Sequence, residues 1–292
     1  MQPGTVETRK HTGFTLIELF VVIGMVGLLA MTLLPVLAKS GPNVSSFACL
    51  NNNRQLCVAW RMYAEDSRDL LVYSGDDGTQ SNPLNKYAWT QSHMDYNPGA
   101  WNWDTNYDIV KGPLWPYTGR NATIYKCPSD KSSVVVNGVP RPRVRTMAMN
   151  FYLGGFAGGN GGWPFAAPYP IYLKLSDIQA GAHVHSSAIR PAGLWVFTDM
   201  REDVINWGNF LVNMSGYPNN PAQYQFTEDL PGFYHNQGAS FAFADGHGET
   251  HRWLDPRTCP PLGSFGSGPP SNLASPRNPD IAWLQDHSTR PK

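Results

Sequence analysis

Residues 14–38 read FTLIELFVVIGMVGLLAMTLLPVLA, an apolar run in which Glu18 is the only charged side chain. A helix of about 25 residues rises about 37 Å, which is enough to cross the hydrocarbon core of a bilayer. Arg9 and Lys10 stand just before the run, and basic residues at that place hold an N-terminus on the cytoplasmic side. The sequence therefore predicts a single membrane span after which the chain is exported.

The composition is that of a folded, electrically neutral protein. The chain has 292 residues with 22 Lys and Arg against 22 Asp and Glu. This balance argues against a nucleic-acid partner, because nucleic-acid-binding proteins neutralise phosphates with clustered cations. Hydrophobic residues make up 41% and aromatic residues 12%, which argues against intrinsic disorder, and the 28 glycines and 25 prolines indicate a loop-rich body.

Three kinds of N-terminal segment could contain such an apolar run. A cleaved secretory signal has a shorter apolar core with a small-residue cleavage site after it, which does not match the residues around Ala38. A plain signal anchor fits the length but leaves Glu18 unexplained, because a carboxylate inside a membrane helix costs about 3 kcal/mol on insertion scales. A carboxylate at that depth usually has a partner and a function.

The third kind of segment is indicated by Gly13-Phe14-Thr15-Leu16-Ile17-Glu18, which resembles the prepilin cleavage and methylation motif of type IV pilins and type II secretion pseudopilins. In that family a prepilin peptidase cuts after the glycine and methylates the new N-terminus. The resemblance implies a leader at 1–13, cleavage between Gly13 and Phe14, and N-methylation of Phe14. It implies four partners: the peptidase, the inner-membrane assembly platform, membrane lipid before assembly, and further copies of the chain.

The same resemblance assigns assembly roles to Glu18, Gly27 and Pro35. The Glu18 carboxylate of one subunit would pair with the Phe14 amine of its neighbour, which neutralises two charges that are costly inside a membrane and sets the register between subunits. Gly27 and Pro35 weaken the helix, and in the family such a stretch can lose helical order in the filament. An ordinary membrane-helix kink is the alternative explanation of Pro35.

The resemblance also implies an α+β, pilin-like fold, in which a long N-terminal helix packs on an antiparallel β-sheet with long Gly/Pro/Trp-rich loops. The residues support an amphipathic second half of that helix, because Cys49, Leu56 and Trp60 recur at helical spacing. The predicted organisation is a leader at 1–13, a membrane helix at 14–38, an amphipathic helix at 39–69, a β-rich body at 70–258 and an irregular tail at 259–292.

Turn residues predict two hairpins in the body. The first surrounds Asn137-Gly138 and joins Ser132–Val136 to Arg141–Asn150, and the second surrounds Asp245-Gly246. Leu194–Thr198, which reads LWVFT, is predicted to be a buried strand.

His235 precedes Asp245-Gly246 with nine residues between them, a spacing that resembles the H-x9-D-G motif near the C-terminus of many prepilin-like proteins. Asp-Gly suits a turn, and strand pairing could bring the His235 imidazole to the Asp245 carboxylate. We interpret His235, Asp245 and Gly246 as a structural tie rather than as catalytic residues.

One candidate metal site lies in the second hairpin. His247, Glu249 and His251 point to one face of an extended strand, close to the H-x9-D-G residues, and offer ligands for a divalent metal.

A second candidate is the loop that contains Asp104, Asn106 and Asp108, where oxygen ligands alternate. The glycine and the distal acid of a complete calcium loop are missing there. Major pseudopilins use calcium to order a loop, so the resemblance keeps calcium open as a cofactor, although the residues establish none.

The four cysteines permit one deduction. Cys49 and Cys57 lie eight residues apart on one helix, about 12 Å, and cannot form a bridge. Two of the three possible pairings remain, and an exported domain favours at least one bridge. Cys127-Pro128-Ser129-Asp130 resembles a motif that accompanies the helix cysteine in these proteins, which implies a Cys49–Cys127 disulfide.

The sequence contains none of the common catalytic motifs, and no enzymatic activity is predicted.

The predicted function is a structural subunit of a type IV pilus-like or type II secretion pseudopilus filament. The subunit would begin as a bacterial inner-membrane protein and end in a periplasmic or cell-surface filament. The residues leave three kinds of subunit open: a type IV pilin, a major pseudopilin or a minor tip subunit. The alternative is a membrane-anchored carbohydrate-binding adhesin, suggested by tryptophans in polar loops: Trp101, Trp103, Trp115, Trp163 and Trp207. A third hypothesis, an anchored metallohydrolase, requires metal at His247 and Glu249.

Overall fold

The computed structural model describes residues 15–79, 81–159, 162, 164, 166–178, 190–264 and 271–290, and for residues 30 and 32–43 it describes the backbone alone. The chain divides into two compact units, Met1–Val44 and Ser45–Lys292. The mixture of helices and sheets confirms the α+β class predicted from the sequence. The predicted leader, 1–13, lies outside the described residues.

Helix α1 spans Leu16–Asp66 and is helical through the positions of Gly27 and Pro35. In the first unit its described side chains from Leu16 to Leu29 are all exposed, and all but Glu18 and the two glycines are large and apolar. Within the residues that the structure describes, we find no helix with both the length and the apolar character needed to span a membrane. The span predicted at 14–38 falls partly on side chains outside the described set, and it stays a prediction.

The second unit is built around three sheets. Its described strands are β1 (Ser133–Val136), β2 (Val139–Pro142), β3 (Met147–Asn150), β4 (Trp195–Asp199), β5 (Asn209–Phe210), β6 (Gln225–Phe226), β7 (Gly238–Phe243), β8 (Gly248–Arg252) and β9 (Leu273–Ala274). The central sheet has the order β5-β3-β4-β7-β8, while β1-β2 and β6-β9 form two-stranded sheets. All pairs in the central sheet are antiparallel except β3 and β5, so the predicted antiparallel sheet is in fact mixed.

The second half of α1 is amphipathic, as predicted, and packs on β7. Its fully buried residues follow helical spacing and form one face of the helix: Cys49, Asn53, Leu56, Cys57, Ala59, Trp60 and Ala64. Two hydrogen bonds fix the helix on the strand. The Asn53 side-chain amide donates to the Ser240 carbonyl over 3.0 Å, and the Cys57 thiol donates to the Phe243 carbonyl over 3.1 Å.

The inner strands of the central sheet, β3, β4 and β7, are buried on both faces, whereas the edge strand β8 is partly exposed. In β3, Met147 and Met149 belong to the apolar cluster that includes α1, whereas Ala148 between them belongs to a second cluster on the opposite face. In β7, Ala242 faces α1 while Phe241 faces the second cluster. Side chains on a strand alternate between the two faces, so a strand covered on both sides needs apolar residues at nearly every position. This is why the central strands do not show alternating polarity.

Both predicted hairpins are present, and the buried strand predicted at Leu194–Thr198 is β4. Asn137 and Gly138 have positive φ angles of 50° and 79°, as a tight two-residue turn requires, and they connect β1 to β2. The second hairpin connects β7 to β8 through Asp245-Gly246.

The prediction of one strand over Arg141–Asn150 is wrong, because β2 and β3 belong to different sheets. Between them Arg143 and Arg145 are buried and donate hydrogen bonds to main-chain carbonyls; Arg145 alone reaches four of them. The guanidinium groups supply donors to the irregular loops, which lack a regular hydrogen-bond ladder of their own.

Helix α2 is a single turn at Ala100–Trp103. The prediction of an irregular tail at 259–292 is wrong in part, because this segment contains helix α3 (Pro279–Ser288) as well as β9. Asn278 caps α3 by accepting a hydrogen bond from the Asp280 backbone N–H over 2.8 Å, and Pro279 occupies its first turn. Ile281 and Leu284 are buried in the second apolar cluster. Helix α3 therefore covers the face of the sheet opposite α1.

We expect the substitution Leu56→Ala to destabilise the second unit by about 2–5 kcal/mol, because a fully buried side chain of α1 would leave a cavity against the sheet. Val58, on the exposed side of the same helix, is the matched control, and Val58→Ala should change stability by less than about 0.5 kcal/mol. Thermal unfolding of the full chain in mild detergent measures both. Equal losses from the two variants would contradict the packing of α1 on the sheet.

Candidate functional site

Four potential ligand side chains meet in the interior of the second unit. They are Cys49, Cys127, Asp199 and His235, and one ligand atom from each lies within 4.8 Å of the others. All four residues are buried. They come from α1, from the loop after the 3-10 helix Ala122–Tyr125, from the end of β4, and from the segment before β7. We call these four residues the Cys–His–Asp cluster.

The positions of the two cysteines are fixed by different parts of the fold. Cys49 is the first residue of the buried stripe of α1, so its position follows from the packing of the helix on β7. The Cys127 backbone N–H donates to the Thr146 hydroxyl over 2.7 Å, which fixes the loop just before β3 begins. Both cysteines are therefore held in place by contacts with neighbouring elements.

Asp199 ends β4 and is completely buried. Its Oδ1 accepts a hydrogen bond of 2.6 Å from the Ser240 backbone N–H of β7. Its Oδ2 faces the cluster and has no hydrogen-bond partner among the described residues. A Cβ placed on Gly232 would lie 2.2 Å from that Oδ2, so the neighbouring loop approaches the carboxylate too closely for any side chain.

His235 presents Nε2 to the cluster. This atom lies 3.3 Å from the Cys127 Sγ and 3.9 Å from the Asp199 Oδ2. The other ring nitrogen, Nδ1, is buried and has no hydrogen-bond partner in the described part of the chain. Asn236 and Gln237, which follow, have positive φ angles of 56° and 58°. They form a tight turn directly before β7.

The charges of the cluster are strongly coupled. A hydrogen bond from the Cys49 thiol, together with the adjacent His235 imidazole, lowers the pKa of the Cys127 thiol. Burial raises the pKa of Cys49, and burial together with the nearby Cys127 sulfur raises the pKa of Asp199 to about 7. Burial lowers the pKa of His235, but the hydrogen bond to Cys127 and the charges of Asp199 and Cys127 outweigh this effect, so the pKa is raised. Because all four groups are buried and close together, the charge state of each one affects the pKa of its neighbours.

A surface groove of about 840 Å³ borders the cluster on the side of Cys127. Its lining includes Ala48 of α1, Cys127 and Lys126, with Trp103 and Arg143 at other points of the wall. The other three members of the cluster do not line it, and all four are buried.

The structure does not pair His235 with Asp245, and that interpretation of the H-x9-D-G spacing is wrong. Strand β7 separates the two residues, so His235 joins the Cys–His–Asp cluster while Asp245 lies in the turn beyond the other end of the strand. The Asp245 carboxylate instead contacts His247 Nδ1 at 2.6 Å and accepts from the His247 backbone N–H. Gly246 has a φ of 98°, a conformation that favours glycine.

The structure does not gather His247, Glu249 and His251 into a ligand cluster. The Cys–His–Asp cluster is the one group of three or more such ligands found among the described residues. The His247 ring stacks on Phe243, and the His251 ring stacks on Trp283 of α3 at a centroid distance of 3.8 Å. These histidines pack against aromatic rings.

The predicted calcium loop is also divided. Asp104 accepts hydrogen bonds from Asn106, its neighbour at the surface. Asp108 is buried and accepts hydrogen bonds from Thr90 and Ser92. The two carboxylates therefore serve separate local networks.

The predicted Cys49–Cys127 pair does meet in space, but as two free thiols. The disulfide between them stays a prediction. Cys57 is buried and Cys259 half-buried, and both are also free.

The N-terminal residues are only partly described. Gly13 and Phe14 lie outside the described residues, as does the side chain of Pro35, and Gly27 is exposed. Glu18 has an unexpected local role, because its Oε2 accepts hydrogen bonds from the Thr15 backbone N–H over 2.8 Å and from the Thr15 hydroxyl over 2.7 Å. The Glu18 backbone N–H in turn donates a hydrogen bond to the Thr15 hydroxyl over 3.3 Å. Thr15 and Glu18 thus form a capping box at the start of α1.

The described tryptophans of the adhesin hypothesis are half-buried: Trp101, Trp103, Trp115 and Trp207. Trp207 packs against His93 and Phe156, and the Trp101 and Trp103 indoles donate to nearby oxygens of their own loop. Trp163 lies outside the described residues. These contacts give the rings structural partners.

Asp199 is the cluster member that the sequence prediction missed. The signal was a carboxylate directly after the buried run Leu194–Thr198, where an acidic side chain must either reach solvent or find a buried partner. Comparisons of the chain with protein-family models, with curated proteins and with solved structures gave no match.

We expect Gly232→Ala to lower the stability of the second unit by about 1–3 kcal/mol, because its Cβ would displace the Asp199 carboxylate. The matched control is Gly159→Ala, whose Cβ would meet only a carbonyl oxygen at 3.3 Å. Thermal unfolding of the two full-length variants measures the difference. If Gly232→Ala unfolds at the wild-type temperature, the carboxylate does not occupy the position described here.

Proposed function

We propose that this protein is a structural, non-enzymatic subunit of a type IV pilus-like or type II secretion pseudopilus filament. The observation that carries the proposal is the surface of α1 between Leu16 and Leu29. Every described side chain there is exposed, for example 71% of Leu16 and 75% of Ile17, and apolar residues lie on all sides of the helix.

A helix that is apolar on every side is stable only where it is covered on every side. A surface helix of a globular protein would show one polar face, and this segment has none. Lipid before assembly and neighbouring copies of α1 in a filament would each provide such cover. The prepilin-like residues Gly13-Phe14 immediately before the helix support the filament over a permanent membrane anchor.

The position of Glu18 supports the same proposal and refines it. Both hydrogen bonds from Thr15 go to Oε2, so the capping box leaves Oε1 able to accept from another donor. After cleavage the Phe14 amine of a neighbouring subunit would be such a donor. Glu18 would then both start its own helix and neutralise the amine of the next subunit.

The second unit fits the role of the exported body. In the proposed pilin-like arrangement the amphipathic half of α1 packs on the central sheet, and the loops and small sheets form the surface of the filament. The proposed partners are other copies of the chain, prepilin peptidase, the inner-membrane assembly platform and lipid. The protein would reside in a bacterial inner membrane before assembly, and in a periplasmic or cell-surface filament afterwards.

Two substitutions of Glu18 separate its two roles. Glu18→Gln keeps a side chain that can complete a capping box but removes the charge, whereas Glu18→Ala removes both. If the charge pair drives assembly, both variants should lose most of the filaments recovered by shearing, while both chains are still cleaved after Gly13. Intact mass of the membrane-extracted protein checks the cleavage and the added methyl group.

Glu65→Ala serves as the control, because Glu65 is an exposed glutamate on the same helix and should assemble normally. Gly13→Leu should give the complementary phenotype, an uncut chain that stays in the membrane. Normal filaments from Glu18→Gln together with failure of Glu18→Ala would assign the residue to helix capping alone. Normal filaments from both variants would remove the charge pair and favour a plain anchor.

A further inference from the structure

We propose that Cys49, Cys127, Asp199 and His235 form a structural site for a divalent cation of the zinc type. The site lies wholly within the second unit, so the proposal does not rest on filament assembly. It also differs from both metal sites predicted from the sequence, although it takes up His235 of the H-x9-D-G motif.

The separations of the ligand atoms suit a tetrahedral cation. With metal–sulfur bonds of about 2.3 Å and metal–nitrogen or metal–oxygen bonds of about 2.0 Å, the ligand atoms of a tetrahedral zinc site lie about 3.3–3.8 Å apart. The distance from His235 Nε2 to Cys127 Sγ is 3.3 Å, and that from Nε2 to Asp199 Oδ2 is 3.9 Å. All four atoms fall within 4.8 Å of one another, so binding needs only a small contraction.

The chemistry of the donors points to the same ion. Two thiolates, one imidazole and one carboxylate are typical zinc ligands, whereas calcium and magnesium prefer oxygen alone. The Asp199 Oδ2 is fully buried and has no hydrogen-bond partner in the described residues, which is costly for a carboxylate unless a cation faces it. Bound zinc would supply that cation.

The surroundings of the cluster resemble the support of a metal site. The Ser240 backbone N–H holds Asp199 Oδ1, so the carboxylate is oriented with Oδ2 as a single donor. The Gly232 loop packs against that oxygen and excludes water from it. The surface groove that Cys127 lines is the nearest opening to the site. Four protein ligands and no open position indicate a structural site rather than a catalytic one.

A disulfide is the competing use of the same thiols. A Cys49–Cys127 bridge would consume both sulfurs and leave the buried Asp199 carboxylate with only the His235 imidazole, whose Nε2 lies 3.9 Å from Oδ2, beyond hydrogen-bond distance. Both of those residues are at most 5% exposed, so neither could turn to water. A cation employs all four side chains at once, which is why we favour it.

The test uses the full-length chain, extracted in detergent and purified anaerobically without a chelator. We expect one zinc per chain by elemental analysis. After replacement by Co²⁺, we expect the thiolate-to-cobalt charge-transfer band and the strong visible bands of tetrahedral cobalt. Cys49→Ser and Cys127→Ser should each weaken the charge-transfer band, and Asp199→Asn should shift the visible bands.

Cys57→Ser is the matched control, because Cys57 is also fully buried on α1 and its thiol donates a hydrogen bond to the Phe243 carbonyl, as a serine hydroxyl can. It should keep the full cobalt spectrum. Should a cluster variant fail to fold, the wild-type cobalt spectrum and thiol alkylation followed by mass spectrometry still decide the question. A Cys49–Cys127 linked peptide in the native protein would overturn the proposal. So would four alkylated thiols without any bound zinc or cobalt, or a cobalt spectrum that Cys57→Ser weakens as much as Cys49→Ser does.

Discussion

The contact between α1 and β7 is the constraint on which the second unit depends. It places a buried stripe of the helix against the centre of the sheet, and it brings Cys49 to Asp199 at the end of β4 and to His235 just before β7. The hairpin after β7 must also pass close to the helix. A Cβ on Gly248 would lie 2.9 Å from side-chain atoms of both Leu50 and Arg54, so only glycine lets β8 begin there without displacing them.

The features predicted correctly from the sequence are local ones. The two hairpins follow from turn residues that tolerate positive φ, and the amphipathic half of α1 follows from apolar spacing along one helix. Asn278-Pro279 is an equally local helix-start signal, but the proline- and serine-rich sequence before it hid helix α3. A capping signal outweighs the composition of the segment that precedes it, and the helix therefore begins at Pro279.

The Cys–His–Asp cluster could not be predicted in the same way. Its members are separated by 36 or more residues, and their meeting depends on strand order, which no local pattern encodes. The resemblance brought Cys49 and Cys127 together but assigned them to each other alone. His235 was assigned to the wrong carboxylate, because the nine-residue spacing suggested a partner across the turn. In the structure the carboxylate beside His235 is that of Asp199, on the neighbouring strand β4. The relation to prepilins remains a proposal, which α1 supports.

The H-x9-D-G spacing acquires a different meaning once its ends are located. His235 reaches the cluster beside Cys49, and at the other end of β7 the Asp245 carbonyl accepts a hydrogen bond from Arg61, twelve residues further along α1. The residues between His235 and Asp245 therefore span the distance along α1 between Cys49 and Arg61. Removing one of them would turn every following side chain of β7 to the opposite face, and Phe241 would point at α1. The motif thus specifies the length of a strand rather than a bond between its two ends.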